Sequence, residues 1–491
     1  MKKVLLLTAI LSSGLYGASI DHVQTYSPDY LSNQAQTGLV KAGVNNYNPA
    51  GQSRLEQGKY AQVGVQYAVG HEKMSYEGKE HKAKLRQAIP NVTFTSVDAN
   101  GATFFNFGAL AGGGKLKYDG VSGVDVLSDV DKFNGLGVYD RGSSLTGKNM
   151  YEQATLGRAF NVNENLSLSV AGRVVHGTRE LKGNLNIGVN PSTAYQQAAA
   201  TKVASAVSAA VDAKTSAAVQ AGLMTAAKVT AMKQQATQVA LGQLKQTTSE
   251  LVKNGLQGDL DSKREAWGYG FQLGVNYKVD ERLNLAARYD SRVKMNFKAK
   301  GSENQLNTAA ILGQNIGLTT FYPQYTIGER VRRDLPAILS VGASYKVTDN
   351  YLVSGAANYY FNRHAKMDRV TAFGGHEYGL DYKNGWEIAL GNEYKINDKF
   401  TLIGSANYAR TGAKASSFND TEYALNSFTL GAGVKYQYDE TTAITASVAH
   451  FIYEKKDGTF MDRYADSKNV TENQKYHKGI TAFGLSLTKK F

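Results

Sequence analysis

The chain has 491 residues but no cysteine, only six prolines and two tryptophans. Without cysteine it can have no disulfide scaffold, no thiolate metal site and no cysteine nucleophile. Few prolines and an aromatic content of 10% argue against a disordered chain. The body of the chain also lacks the runs of about 20 apolar residues that membrane helices need. Glycine (50 residues) and tyrosine (30 residues) are abundant instead, although the mean hydropathy is only −0.35.

The first residues predict export from the bacterial cytoplasm. Lys2 and Lys3 precede a short apolar core at residues 4–11, and small residues follow as far as Ala18. This order is typical of a secretory signal peptide. A single anchor helix is the weaker alternative, because the core is much shorter than the roughly 20 residues that span a bilayer. We therefore expect residues 1–17 to be a signal peptide.

Much of the remaining chain alternates apolar and polar residues with a period of two, which predicts β-strands with one apolar face. One face of the segment 267–277 is apolar throughout: Trp267, Tyr269, Phe271, Leu273, Val275 and Tyr277. Glycine, glutamine and asparagine occupy its other face. The same alternation recurs in the segments 283–289, 335–347, 351–361, 386–396, 400–408, 428–438 and 483–491.

Short turns and long connections alternate between these segments. Short polar turns lie at 97–100, 161–165, 280–281, 348–350, 397–399 and 439–441. Long polar connections lie near 111–150, 179–266, 298–333, 363–384, 410–426 and 455–478. A short-turn side and a long-loop side are typical of outer-membrane barrels, whereas a β-sandwich has no such asymmetry. Counting the segments predicts an all-β, transmembrane antiparallel β-barrel of about fourteen strands.

A repeated G-x-x-Y pattern ends four of the predicted strands just before a short turn. It begins at Gly274, Gly342, Gly391 and Gly433. The tyrosine falls on the apolar face at the same depth each time, which predicts an aromatic girdle at one membrane interface. The glycine has the opposite parity, so we expect it to face a lumen in which space is limited.

Several motifs together resemble the FadL family of outer-membrane long-chain fatty acid transporters and its aromatic-hydrocarbon channel relatives. Asn48-Pro49-Ala50-Gly51 stands in an N-terminal stretch without strand character. It is followed, in the order of the family, by the segments 268–274, 287–293, 335–345, 386–394 and 430–436. The resemblance covers nearly the whole chain except one insert.

The resemblance implies a monomeric barrel, residues 59–491, plugged by an N-terminal hatch at residues 18–58. It also implies that a hydrophobic ligand is captured among the outer loops, displaces the hatch and leaves sideways into the membrane through a gap at an irregular strand. Poor alternation and three consecutive glycines make the third strand the candidate for that gap. The residues concerned are Asn106, Gly108, Gly112, Gly113 and Gly114. A glycine-rich loop that starts early is the alternative interpretation of the same stretch.

No binding residue outside the hatch can be transferred from the family by motif, so strand parity provides the candidates. Four basic residues point into the lumen if the strand assignments hold: Arg173, Arg288, Arg292 and Lys346. A basic group there would pair with the carboxylate of a fatty acid. The alternative is a purely structural network with Asp290, Glu387 and Glu393, since polar residues inside barrels are ordinary.

An insert at residues 193–255 differs in composition from the rest of the chain. Alanine, valine, glutamine, lysine and threonine dominate, and Val203, Val207 and Val211 repeat at helical spacing. We expect two helices of about 30 residues, separated near Gly222, in an extracellular loop. An entrance lid, a contact surface for a host or bacterial partner and a solvated spacer all remain open as its role.

Other functional classes compete with this assignment. A general diffusion porin and a surface adhesin are the competing classes. The sequence has no spacing or motif of a metal site, a cofactor site or a catalytic triad, which argues against an enzyme. The formal charge of +13 is spread among loops, where outer-membrane lipid and lipopolysaccharide are more natural neighbours than nucleic acid. The last strand, ending at Phe491, is expected to engage the barrel-assembly machinery.

Overall fold

The protein is described by a computed structural model over residues 27–76, 78–120, 135, 137–301, 305–306, 316–317, 326–371, 377–378, 381–418, 423–458 and 474–491. The predicted signal peptide, residues 1–17, lies outside these described residues. Among them, no helix combines the length and the apolar character needed to cross a membrane.

Fourteen antiparallel strands form a closed barrel within the described residues. They are β1 (Gly58–Tyr76), β2 (Lys79–Asp98), β3 (Gly101–Tyr118), β4 (Ser144–Asn161), β5 (Leu166–Val189), β6 (Leu256–Lys278), β7 (Leu283–Asp290), β8 (Ile338–Thr348), β9 (Tyr351–Tyr360), β10 (Gly385–Lys395), β11 (Phe400–Arg410), β12 (Ser427–Gln437), β13 (Thr442–Tyr453) and β14 (Gln474–Lys490). Each strand pairs with the next in sequence, and β14 returns to pair with β1 from Tyr60↔Lys490 to Tyr76↔Gln474. The first and last strands therefore close the barrel, and neither is a terminal edge strand.

Short strands extend the barrel at its long-loop end or lie in the loops. They are Val138–Asp140, Asn296–Gly301, Gln305–Leu306, Ile316–Gly317, Arg330–Arg332, Val370–Thr371, Glu377–Tyr378 and Lys456–Gly458. Of these, Asn296–Gly301 pairs with both β6 and Arg330–Arg332, so the wall continues past the end of β7. The predicted connections at 111–150 and 179–266 are shorter than expected, because β3, β4, β5 and β6 all continue beyond the alternating apolar part.

The period-two alternation places apolar side chains outside and polar or small ones inside, as predicted. In β6, Trp267 and Tyr269 are 63% and 71% exposed. Gln272 and Asn276, with the opposite parity, are buried in the interior. An exposed apolar face is stable only against lipid, which is how a chain of low mean hydropathy can still be a membrane protein.

The turns of the short-turn end are stabilised by Asx contacts. The carboxylate of Asp280 accepts the N–H groups of Arg282 and Leu283, each at 2.7 Å. In the last such turn Asp439 accepts the O–H and N–H of Thr441 at 2.7 and 2.8 Å, which lowers the pKa of Asp439 to about 2. Such residues favour tight turns because their side chains replace a missing backbone partner.

The insert forms a helical hairpin, as predicted, between β5 and β6. Its helices are α2 (Thr193–Gln220) and α3 (Ala226–Asn254), and Gly222 in the turn between them has a φ of +72°. Ser192 caps α2 by accepting the N–H of Tyr195 at 3.2 Å. Only Thr215 and Val229 are buried in the hairpin, so it stands largely in solvent.

The segment that precedes β1, residues 27–57, lies inside the barrel and is hereafter called the N-terminal segment. It contains the short helix α1 (Pro28–Ser32) and the 3₁₀ turn Ala50–Arg54. Most of its side chains are buried against the inner faces of the strands. The remaining 3₁₀ turns, Asn362–His364 and Ala415–Ser417, lie in loops.

Candidate functional site

The four G-x-x-Y glycines all lie where the N-terminal segment meets the wall. A Cβ at Gly274 would be 2.9 Å from Pro49, one at Gly342 2.7 Å from Thr37, one at Gly391 2.0 Å from Asn33 and one at Gly433 2.5 Å from Ser32. The tyrosines of the same repeats point the other way, and Tyr277, Tyr345 and Tyr394 are exposed. The tyrosine of each repeat therefore lies on the outer face of the strand. The glycine on the inner face leaves room for the N-terminal segment to pack closely against the wall.

The Asn-Pro-Ala-Gly motif forms the turn that docks the N-terminal segment on β6. The Asn48 amide donates to the Leu39 carbonyl at 3.0 Å and to Asn276 Oδ1 at 2.7 Å, while its oxygen accepts the N–H of Gly51 at 3.0 Å. A Cβ at Gly51 would come within 2.5 Å of that same amide, so the turn requires glycine there. Pro49, with a φ of −64°, starts the following 3₁₀ turn.

A buried charge network joins the barrel wall to the N-terminal segment. Asp290 lies 2.9 Å from Arg288 Nε and 3.4 Å from Arg173 Nη1, and all three side chains are buried. Arg288 also donates to the backbone carbonyl of Asn46 and, at 3.0 Å, to Ser340 Oγ. Arg173 donates twice to the Gln153 oxygen, at 3.0 and 2.7 Å.

The network has two guanidinium groups and one carboxylate, so it carries a formal positive charge inside the barrel. Burial of an ionised group is costly unless opposite charges and hydrogen bonds compensate it. Polar oxygens and the face of Tyr47, whose ring centroid is 6.0 Å from Arg288 Cζ, surround the excess charge. Arg173 and Arg288 therefore belong to one buried network with Asp290, in which two guanidinium groups share one carboxylate.

The other two parity candidates lie apart from this network. Arg292 is 46% exposed and donates to the His364 carbonyl at 2.8 Å, with Asp334 at 3.7 Å. Lys346 lies near the short-turn end of β8 and is exposed. Glu393 lies near that end of β10 and bonds Lys41 of the N-terminal segment at 2.6 Å, which makes it a second anchor of that segment.

An apolar cluster adjoins the charge network at Tyr47 and reaches from the N-terminal segment to the wall. It consists of Tyr30, Val44, Tyr47, Leu110, Ala111, Tyr151, Val175, Ala266, Val293, Met295, Phe297 and Leu335. Tyr30 and Tyr47 stack with their centroids 5.3 Å apart, and Tyr151 meets Phe297 edge to face at 5.9 Å. Since Leu110 and Ala111 belong to β3, the cluster touches the irregular part of that strand.

Two cavities lie nearer the long-loop end. The inner one, of about 60 Å³, continues from the apolar cluster at Tyr151 and Leu335 and is also lined by Arg179, Arg333 and Glu387. The outer one, of about 260 Å³, is lined by four basic residues: Lys383, Arg410, Lys414 and Lys456. Arg410 lines both cavities, and no carboxylate is among the described residues that line the outer one.

Sequence parity did not find these cavity residues. Arg179 lies in the part of β5 that extends past the alternating segment, and Arg333 lies in a connection. Lysines in loops are ordinary, so only the folded connections reveal that Lys383, Lys414 and Lys456 meet. The sequence predicts Glu387 as a network member, and its hydrogen-bond partners are Asn358 at 3.3 Å, Tyr360 and Asn407 rather than one of the four basic candidates.

The third strand is continuous, but its pairing with β2 is interrupted. Pairs run from Ala83↔Tyr118 to Leu85↔Leu116 and resume only at Val92↔Phe107. Residues 86–91 and 108–115 between them are not paired with each other. On its other side β3 shifts register against β4 between Ala109 and Gly114.

The predicted glycines belong to this irregular stretch. Gly112 and Gly114 have φ values of +116° and +67°, which other residues rarely adopt. A Cβ at Gly114 would lie 2.9 Å from the Cβ of Gln87, so the Gln87 side chain occupies the space between the two strands. Asn106 lies just beyond the stretch and faces the interior.

A closed barrel with an apolar outer face, short turns at one end and long loops at the other defines an outer-membrane β-barrel protein. The family described as outer membrane protein transport protein (OMPP1/FadL/TodX) matches residues 30–491. The chain belongs to this family, which is one of transport proteins and not of enzymes, and it is an outer-membrane protein.

Similar proteins agree with that membership. The chain is 27% identical over 218 residues to the 47 kDa outer membrane protein of Pasteurella multocida, which covers 43% of this chain and 48% of that protein. It is 24% identical over 241 residues to outer membrane protein P1 of Haemophilus influenzae, with 46% and 48% covered. The chain thus matches about half the length of these curated relatives.

Solved structures share the fold over nearly the full length. A Pseudomonas aeruginosa FadL homologue has a TM-score of 0.61 at 14% identity, with 97% of this chain and 99% of that one covered. The Pseudomonas putida toluene transporter TodX has a TM-score of 0.59 at 15% identity, with 97% and 100% covered. At such identities the likeness concerns the fold alone.

Proposed function

We propose that the protein is a passive outer-membrane channel for hydrophobic molecules, with long-chain fatty acids as the first candidate ligands. The observation that carries the proposal is the apolar cluster, which connects the N-terminal segment to the stretch where β2 and β3 are unpaired. An apolar molecule gains free energy on leaving water and gains nothing from an aqueous pore. A path of apolar side chains toward the lipid shields such a molecule from water and requires no aqueous pore.

Three stages make up the proposed route. An anionic amphiphile is attracted at the outer loops, where three separate connections bring lysines to the outer cavity. Its chain then enters the apolar cluster, and its acid group is drawn to the positive network of Arg173 and Arg288. Because Arg288 also holds the Asn46 carbonyl, an arriving carboxylate competes with a bond that fixes the N-terminal segment.

The last stage is displacement of the N-terminal segment and sideways release between β2 and β3. The hatch role belongs to Asn48, Pro49, Ala50 and Gly51, whose turn docks the segment on β6. The lateral gap belongs to the stretch that contains Gly108, Gly112, Gly113 and Gly114. Toluene is a named cargo of a protein with this fold, so small aromatic hydrocarbons are the second ligand class to test.

A reversible cross-link across the unpaired stretch tests the route. The natural chain has no cysteine, so Gln87→Cys with Gly114→Cys gives a single possible disulfide, whose Cβ atoms start 2.9 Å apart and must separate to the roughly 3.5–4.5 Å that a disulfide spans. We expect oxidation to reduce uptake of oleate into liposomes at least tenfold and reduction to restore it. A control disulfide, Asn407→Cys with Thr429→Cys, joins two directly paired residues of β11 and β12.

The control cross-link is expected to leave uptake unchanged. Equal uptake by the oxidised and the reduced forms of the 87–114 variant would show that the molecule does not leave between β2 and β3. Because each variant is compared with its own reduced form, any strain that cysteine causes at Gly114 cancels.

A further inference from the structure

Buried amide groups without hydrogen-bond partners gather where β2 and β3 separate. Both polar atoms of the Asn91 amide and both of the Asn106 amide lack a partner among the described residues. The two side chains are 2% and 1% exposed. A buried polar group without a partner loses its hydration without compensation, so such groups are rare in native proteins.

The positions of these residues are set by the strand register. Asn106 pairs with Thr93, and Val92↔Phe107 is the last pair before the unpaired stretch. Asn91 is the last residue of β2 within that stretch and precedes Val92 directly. Both residues have interior parity, so they lie on the same face of the sheet at one end of the gap.

The N-terminal segment adds a third amide at the same place. Asn45 donates to the backbone carbonyls of Phe94 at 3.4 Å and Phe105 at 3.1 Å, which are directly paired across β2 and β3. Its own side-chain oxygen is buried and has no partner among the described residues. Asn45 therefore holds the N-terminal segment against the last regular pairs before the strands part.

The apolar cluster lies next to these amides, so an apolar surface and a polar surface meet at the gap. Leu110 and Ala111 of β3 belong to the cluster and follow Asn106 by four and five residues along the strand. A ligand that lies along the cluster toward the gap brings its end group to Asn91 and Asn106. An amide N–H donates to a carboxylate or carbonyl oxygen, and an amide oxygen accepts from a hydroxyl or a protonated acid.

We propose that Asn91 and Asn106, with the oxygen of Asn45, bind the oxygen-bearing end group of the transported molecule at the lateral gap. The ligand class is an apolar chain with a terminal carboxyl or hydroxyl group, as distinct from a hydrocarbon. This inference rests on the proposed function. The unmatched amides lower the stability of the empty protein, and the ligand supplies their missing partners as it passes.

Leucine substitutions at Asn91 and Asn106 test the proposal, because leucine keeps the branched arrangement of four side-chain heavy atoms and removes the amide. Asn91→Leu, Asn106→Leu and the double variant are compared with wild type in liposomes. The cargoes share a C18 chain: oleate, oleyl alcohol and 1-octadecene. We expect uptake of oleate and oleyl alcohol to fall about tenfold in the double variant, and uptake of 1-octadecene to stay unchanged.

Thermal stability provides a second readout with a matched control. Because the amides lack partners, the leucine variants should unfold at the same temperature as wild type or higher. Asn276→Leu is the control, since Asn276 contacts Asn48 at 2.7 Å and Asn284 at 2.9 Å, and this variant should unfold at a lower temperature.

The outcomes separate the two levels of inference. If wild type takes up none of the three molecules, the proposed function fails. If wild type takes them up and the leucine variants lose no selectivity, or lose all three cargoes equally, the proposed function stands and the amide site is refuted. A drop in unfolding temperature as large as that of Asn276→Leu would also refute the amide site, because the amides would then have structural partners.

Discussion

Single glycines of the wall determine how closely the N-terminal segment approaches the strands. Gly274 and Gly342 meet atoms of Pro49, Thr37 and Gly38 at distances that leave no space for a side chain. Glycine on the outer face of the wall is not restricted in this way. At Gly172, between the exposed Val170 and Val174, an added Cβ would have no atom within 4 Å.

We expect Gly274→Val to destabilise the protein and Gly172→Val to leave it unaffected. Overpacking at Gly274 forces Pro49 away from the wall, at a cost of about 1–3 kcal/mol. Urea-induced unfolding in lipid vesicles measures the free energy of unfolding of both variants. A Gly274→Val variant as stable as wild type would show that the N-terminal segment does not pack here.

At the residue scale, strand parity predicted four basic groups in the lumen. Arg173 and Arg288 are buried there, whereas Arg292 lies past the end of β7 and is 46% exposed. Parity placed Arg173 and Arg288 correctly inside the barrel, because a period of two is a local property. Their bonds to Gln153 and to the Asn46 carbonyl depend on residues distant in sequence. Parity could not find Arg333, since its position is fixed by the path of a connection.

At the scale of elements, the fourteen strands and the helical hairpin follow from sequence, whereas the state of β3 does not. Three glycines in a row fit a bent strand and a loop equally well, because glycine permits both. The neighbouring strands decide between them. β4 pairs with β3 along its length and keeps it extended, while β2 does not pair with residues 108–115.

The hairpin of α2 and α3 packs mainly on itself. Its two helices contact each other, whereas toward the barrel α3 contacts β5, Arg141 donates to the Lys253 carbonyl at 3.1 Å and Gln257 donates to the Asn254 carbonyl at 3.2 Å. An element that buries so little against its support contributes little to the stability of that support.

We therefore expect replacement of residues 193–254 by a short Gly-Ser linker to leave the barrel folded. The unfolding temperature should equal that of wild type. The change in electrophoretic mobility between unheated and heated samples should also equal that of wild type. Uptake of oleate and binding to host or bacterial cells, measured on the same variant, assign the role of the hairpin. Lost uptake would make it a lid, lost cell binding a contact surface, and neither loss a spacer. A barrel that fails to assemble would contradict the expectation.

For the whole molecule, the central property is that residues 27–57 occupy the interior of the barrel. The N-terminal segment fills the short-turn half, and the Asn48 turn, the Arg288 bond and the Lys41–Glu393 contact hold it. Two of these anchors lie on the neighbouring strands β6 and β7, and the third lies on β10. A general diffusion porin needs a water-filled lumen instead, so ion conductance distinguishes the two classes directly.

We expect wild type to carry little steady ionic current in planar bilayers, and Asp290→Asn to carry frequent openings. Removing this carboxylate leaves Arg173 and Arg288 buried without their counter-charge, a loss that typically costs about 3–5 kcal/mol. The cost is relieved when the N-terminal segment moves and water reaches the guanidinium groups, so the open state gains population.

The matched control is Asp280→Asn, which makes the same chemical change in an exposed turn and should conduct like wild type. A large steady current through wild type would contradict the plugged barrel itself. Quiet Asp290→Asn channels would show that the remaining anchors, Asn48 and the Lys41–Glu393 contact, are sufficient to hold the segment in place.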